Sequence, residues 1–155
     1  MSKTRHGRCG CGDVSFTTPD DPVIVHCCHC SYCQRETGSA FVVNFLIESD
    51  RVEWNGETEE ILTPSESGGG QRIHRCPTCH VALASHYPVL GDAFFMLRAG
   101  TFDDKTGIKP DVHIYTSTKQ EWVDLGDIPA FEGLYDHLEF WSPETLARVR
   151  KALGR

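Results

Sequence analysis

Apolar and β-branched residues recur along this chain in short runs, at 14–18, 24–28, 40–47, 51–54, 58–63, 70–75, 93–99 and 112–115. Turn-formers separate them: Pro19 to Pro22, Asn55-Gly56, the stretch 64–70 and Asp103 to Gly107. Many short strands punctuated in this way predict a mainly β, mostly antiparallel protein. A helical period stands out only at the C-terminus. There Ser142 is the N-cap, Pro143 takes the first helical position, and Leu146, Val149 and Leu153 share a stripe. This helix is expected to brace the domain, with Arg148, Arg150, Lys151 and Arg155 on a solvated face. The sequence PSESGGG at 64–70 has the greatest backbone freedom and reads as a surface connection. A lid is the alternative reading, because the loop leads into the chemistry-bearing stretch 74–79.

With 155 residues, 39% hydrophobic and 24% charged, the chain suits one globular domain. Its formal net charge of -7 opposes binding to nucleic acid or anionic lipid, which needs clustered cations. Residues 1–14 are polar and glycine-rich, unlike a signal peptide, and no apolar run approaches the roughly 18 residues of a membrane span. A cytoplasmic protein without membrane or nucleic-acid partners is expected.

In that compartment the 8 cysteines read as metal ligands rather than disulfides, and their spacing agrees. Residues i and i+2 of an extended segment project to one side, so Cys9 and Cys11 can grip one ion with Gly10 giving room to bend. Cys76-Pro77-Thr78-Cys79 is a knuckle presenting two more sulfurs, which completes a closed four-cysteine structural zinc shell. Cys28, Cys30 and Cys33 form a second set of three. Cys27 and His29 point away from it, and Cys27 reads as a buried core residue. Spacing leaves two possibilities for the second set. It is a zinc site with an open position, or one closed by Cys27, His26, His29 or a distant histidine. His74, His80, His86 and His113 carry no pattern individually, and Phe41, Phe45, Trp54, Phe94 and Phe95 read as core.

The order CxC, CxCxxC, CxxC resembles the family of glutathione-dependent formaldehyde-activating enzymes, which includes centromere protein V-like proteins. The segments Gly7 to Val14, Cys28 to Arg35, Gly38 to Phe41, Ala99 to Asp104 and Lys109 to Trp122 are similar to that family's patterns. The likeness spans about residues 6–135, with 136–155 as a helical extension of the same domain. It implies a β-tent of small coiled antiparallel sheets. It also implies two zinc ions per chain: a structural one on Cys9, Cys11, Cys76 and Cys79, and a catalytic one on Cys28, Cys30 and Cys33. Two departures stand out. His80 occupies the position after the last knuckle, where the family usually has glycine, and Cys27 adds a thiol beside the second set.

The activity implied is that of a carbon-sulfur lyase, with glutathione as co-substrate adding to formaldehyde; another small thiol and aldehyde or electrophile fit equally. Three thiolates outweigh the charge of a zinc dication, which suits delivery of a soft sulfur better than hydrolysis. Such an anionic centre calls for cations nearby, and Arg35 is the nearest in sequence for binding a substrate carboxylate. The competing class is a non-catalytic zinc-stabilised β scaffold that binds a partner.

Overall fold

The computed structural model describes residues 3–155. It is mainly β, with two sheets and three α-helices. The smaller sheet joins β1 (Thr4–Arg8), β2 (Ser15–Pro19) and β5 (Glu53–Asn55) in the order β1-β2-β5, all antiparallel. β1 lacks an apolar stripe, yet Arg5 and Gly7 face inward. Arg5 satisfies its charge on both Asp20 carboxylate oxygens, at 2.6 and 2.8 Å, and on the Asp104 and Thr106 carbonyls. Gly7 lies opposite Phe16, where an added Cβ would come within 2.3 Å of the ring. The ring itself is boxed by Trp54 and Phe102.

The larger sheet contains β3 (Ile24–Cys28), β4 (Val42–Glu48), β6 (Glu59–Thr63), β7 (Gln71–Arg75), β8 (Ala82–His86), β9 (Phe94–Arg98) and β10 (Val112–Ile114). Their order is β10-β3-β4-β9-β8-β7-β6. Every pair is antiparallel except β10 with β3, a parallel edge that the alternation pattern does not reveal. One core cluster, with Phe16, Phe45, Phe95 and Phe102, fills the space between the two sheets. A second cluster, with Leu46, Phe94, Val112 and Tyr135, lies under the C-terminal segment. Of the aromatic residues expected in the core, Phe45, Phe94 and Phe95 are buried and Trp54 packs against the first cluster while partly exposed. Phe41 belongs to neither cluster and packs edge-on against the His29 ring instead.

The helices are α1 (Ser31–Thr37), α2 (His137–Phe140) and α3 (Pro143–Ala152). α3 begins as expected, with the Ser142 hydroxyl accepting from the Thr145 amide at 3.1 Å, and it buries Val149. The solvated reading of Arg148 is corrected. Its guanidinium grips Glu48 through both carboxylate oxygens at 2.6 and 2.7 Å and donates to the Asp21 carbonyl at 2.8 Å. A polar helix face thus becomes an anchor because β4 ends in a buried glutamate.

Candidate metal centre

The eight cysteines are all free thiols, and three groups of metal-competent side chains emerge among the described residues. The first gathers Cys9 and Cys11, from the β1–β2 connection, with Cys76 and Cys79, from the β7–β8 turn. Sulfur separations of 3.6 Å for Cys9–Cys11 and 3.7 Å for Cys11–Cys76 match the ~3.8 Å that tetrahedral zinc–thiolate bonds impose. Backbone donors support the sulfurs: the Val14 amide points at the Cys9 sulfur at 3.4 Å. The Val81 and Cys11 amides bring the Cys79 thiol down to about 6. The donor set fits a closed zinc site.

The second group is Cys28, Cys30 and Cys33, each buried, with their sulfurs within 4.8 Å of one another. Cys28 ends β3, and the chain then turns directly into α1. The Cys30 sulfur caps that helix by accepting from the Cys33 amide at 3.3 Å, and Gly38 closes it with a left-handed φ of +62°. Cys33 is therefore carried on a helix. The three sulfurs load each other unequally. Hydrogen bonds from the Cys28 and Cys33 thiols, then the Cys33 and Tyr32 amides, pull Cys30 far below the ordinary thiol range. The Cys30 and Cys33 sulfurs, together with burial, push Cys28 far above it. One thiolate forms readily and the others resist, so full deprotonation needs a cation among them, as a metal provides.

No fourth cysteine, histidine or carboxylate joins this group among the described residues. The suggested closing ligands are engaged elsewhere. His26 Nε2 meets the Tyr135 hydroxyl at 2.5 Å. Cys27 and His29 instead cluster with His113 as the third group. His80 lies outside all three groups and its backbone adopts the glycine-like φ of +64°, with its amide donating to the Cys76 carbonyl at 2.9 Å. The knuckle thus keeps its turn despite the substitution.

The segment carrying the second group is locked by a polar chain that the spacing did not anticipate. The His29 carbonyl, lying between Cys28 and Cys30, accepts from Gln34 Nε2 at 2.8 Å and from Thr118 Oγ1 at 3.0 Å. Gln120 Nε2 donates to Gln34 Oε1 at 3.3 Å, and Trp122 Nε1 donates to Gln120 Oε1 at 2.7 Å. Ser31, Gln34, Arg35, Gln120 and Trp122 line an open polar groove of about 600 Å³ along α1. A smaller cavity of about 220 Å³ on the other flank of α1 brings Tyr32, Arg35 and Glu36 against Pro64 and Gln71. Arg35 borders both and makes no ion pair with any described residue.

Three further groups near these sulfurs carry no sequence signal. Tyr115 has a left-handed φ of +55°, and burial, then the Cys28 and Cys30 sulfurs, raise its hydroxyl. Tyr87 is pushed up to about 12, chiefly by burial. Arg98 is buried without a carboxylate partner among the described residues: it donates to Asn44 Oδ1 at 2.5 Å, and its Nε has no partner among them. Its positive charge favours the thiolate form of Cys33, opposing the Cys30 sulfur and burial.

The family model described as glutathione-dependent formaldehyde-activating enzyme matches residues 4–118. A search of curated proteins gives no match. Among solved structures, the crystal structure of a Rhodobacter sphaeroides protein is similar at a TM-score of 0.50 and 16% identity. The likeness covers 81% of this chain and 99% of that one, and at such identity it concerns the fold alone. No helix among the described residues is long and apolar enough to cross a membrane.

Proposed function

This chain belongs to the glutathione-dependent formaldehyde-activating enzyme family, and on that premise we propose that it joins a small thiol, glutathione or a close relative, to formaldehyde or a similar small electrophile. In this reading Cys28, Cys30 and Cys33 hold a catalytic zinc, while Cys9, Cys11, Cys76 and Cys79 hold a structural one. The observation that carries the reading is the convergence of three buried sulfurs with no fourth protein donor among the described residues. Such a set leaves room for an outside ligand.

Zinc held by three thiolates supplies one property when bound: it favours the thiolate form of a thiol docking beside it at neutral pH. The remaining work falls to the chain. Gln34 and Thr118 fix the carbonyl between Cys28 and Cys30, which keeps the sulfurs from spreading. Arg98 places a buried positive charge where the thiolates gather. Arg35, which lines the groove and makes no ion pair with another described residue, is available to take a substrate carboxylate. The groove's polar lining suits an extended, hydrogen-bonding thiol such as a tripeptide.

Metal analysis combined with NMR exchange measurements of thiol–formaldehyde adduct formation tests this. The wild type should accelerate exchange above buffer. Cys30→Ser should abolish the acceleration while the four-cysteine set keeps its ion. Exchange no faster with wild-type protein than with buffer would refute the formaldehyde reading.

A further inference from the structure

The third group is independent of both thiolate sets. Cys27 and His29 lie two positions apart, so both project to the side of the chain opposite Cys28 and Cys30. His113 stands directly across from Cys27 in the parallel β10–β3 register, and the His29 amide donates to the Ile114 carbonyl at 3.0 Å. The backbone thus fixes all three residues on one side. The Cys27 sulfur lies 3.5 Å from His29 Nε2, and His29 Nε2 lies 2.8 Å from His113 Nδ1. The three residues are 1%, 0% and 6% exposed, as deeply buried as the cysteines of the second set.

We propose that Cys27, His29 and His113 form a third metal site, a one-sulfur, two-imidazole set that takes a borderline or soft transition ion of the zinc or copper(I) class. One cysteine with two histidines is the donor chemistry such ions select. A tetrahedral ion holds sulfur and nitrogen donors about 3.6 Å apart and two nitrogens about 3.3 Å apart. The Cys27–His29 spacing already meets this, Cys27 and His113 have ligand atoms within 4.8 Å of each other, and the imidazoles need to part by only about half an ångström.

Without the ion, one proton bridges the two imidazoles. His29 Nδ1 is a buried nitrogen without a partner among the described residues. On binding, the bridging proton moves to the outer nitrogen of the ring that carried it, both facing nitrogens present lone pairs to the ion, and Cys27 releases its thiol proton. Net release is one proton per ion.

Full-chain protein saturated with cadmium-113 under reducing conditions tests the site. Each donor set gives its own cadmium resonance, so three resonances and three bound ions per chain are expected. Cys27→Ala and His113→Gln should each remove the same resonance and leave the other two in place, which also shows that the variants fold. Should a variant lose all signals, proton–cadmium correlation in the wild type decides the assignment, since the third ion must couple to two imidazoles and one cysteine. Two ions per chain in the wild type, or a third ion that survives both substitutions or couples to other residues, would overturn the proposal and leave a buried hydrogen-bonded histidine pair.

Discussion

His80 sits in a left-handed conformation that an L-residue adopts at a cost of roughly 1–2 kcal/mol, and glycine adopts without it. Glycine gives back roughly 0.5–1 kcal/mol through its freer unfolded chain. His80→Gly should therefore stabilise the metal-loaded protein by about 0.5 kcal/mol, whereas His80→Val should destabilise it by more than about 1 kcal/mol. Urea unfolding midpoints check this, and a loss of stability on His80→Gly would mean that the imidazole itself is engaged. The position was legible in the sequence as a departure, although its backbone was not. Among the other site residues, legibility follows distance along the chain. Ligand pairs one or two residues apart leave a spacing, so the four-cysteine and three-cysteine groupings could be read. His113 meets His29 from 84 positions away, and no local pattern records that encounter. Arg98 and Tyr115 are hidden for the same reason.

Elements that escape sequence reading are those whose buried positions do not make an apolar alternation. β1 buries an arginine and a glycine, β8 buries Leu83, Ala84, Ser85 and His86 in unbroken succession, and α1 has seven residues capped by a sulfur rather than a hydroxyl. α3 was legible through its cap and stripe, but its anchoring was not, because Arg148 finds Glu48 100 positions away. Burial pushes the Glu48 carboxyl up, yet the hydrogen bonds from Arg148 and the charge of Arg51 outweigh it and hold the group below its ordinary value. A depressed carboxyl contributes stability above the unfolded pKa of about 4.3, and that stability is lost as pH falls through the lower folded value. With side chains 26% and 11% exposed, the pair stands between a surface bridge and a buried one. Arg148→Met should cost about 2 kcal/mol near neutral pH, and less below about pH 4. Thermal melts across that range measure it; a cost that does not shrink in acid would assign the effect to packing alone. A second polar link works between elements at the centre of the site. Arg75 pairs with Glu36 on α1 and donates to the His80 carbonyl at 2.9 Å, which joins the knuckle to the helix carrying Cys33.

At the scale of the whole molecule the two sulfur sets differ in what they tie together. Cys9 and Cys11 leave the three-stranded sheet, while Cys76 and Cys79 belong to the seven-stranded one, so an ion held by all four is a bridge between sheets. Cys11 and Cys76 are 65 positions apart, and closing a loop of that length in the unfolded chain is worth about 4 kcal/mol on the chain-entropy scale used for cross-links. Cys28, Cys30 and Cys33 lie within one short segment, for which the same scale gives about 2 kcal/mol. The β3–β4 and β4–β9 pairings hold that segment in place whether or not an ion is present. Cys11→Ser should therefore lower the melting temperature by on the order of 10 °C, clearly more than Cys30→Ser, with metal content falling in both. Calorimetry paired with metal counting decides the matter. Equal losses would mean that neither ion bridges the sheets and that the aromatic core around Phe16, Phe45 and Phe102 joins them unaided. A larger loss for Cys11→Ser would separate an ion that supports the fold from one whose surroundings are already built, the condition under which a coordination position can be kept for a substrate.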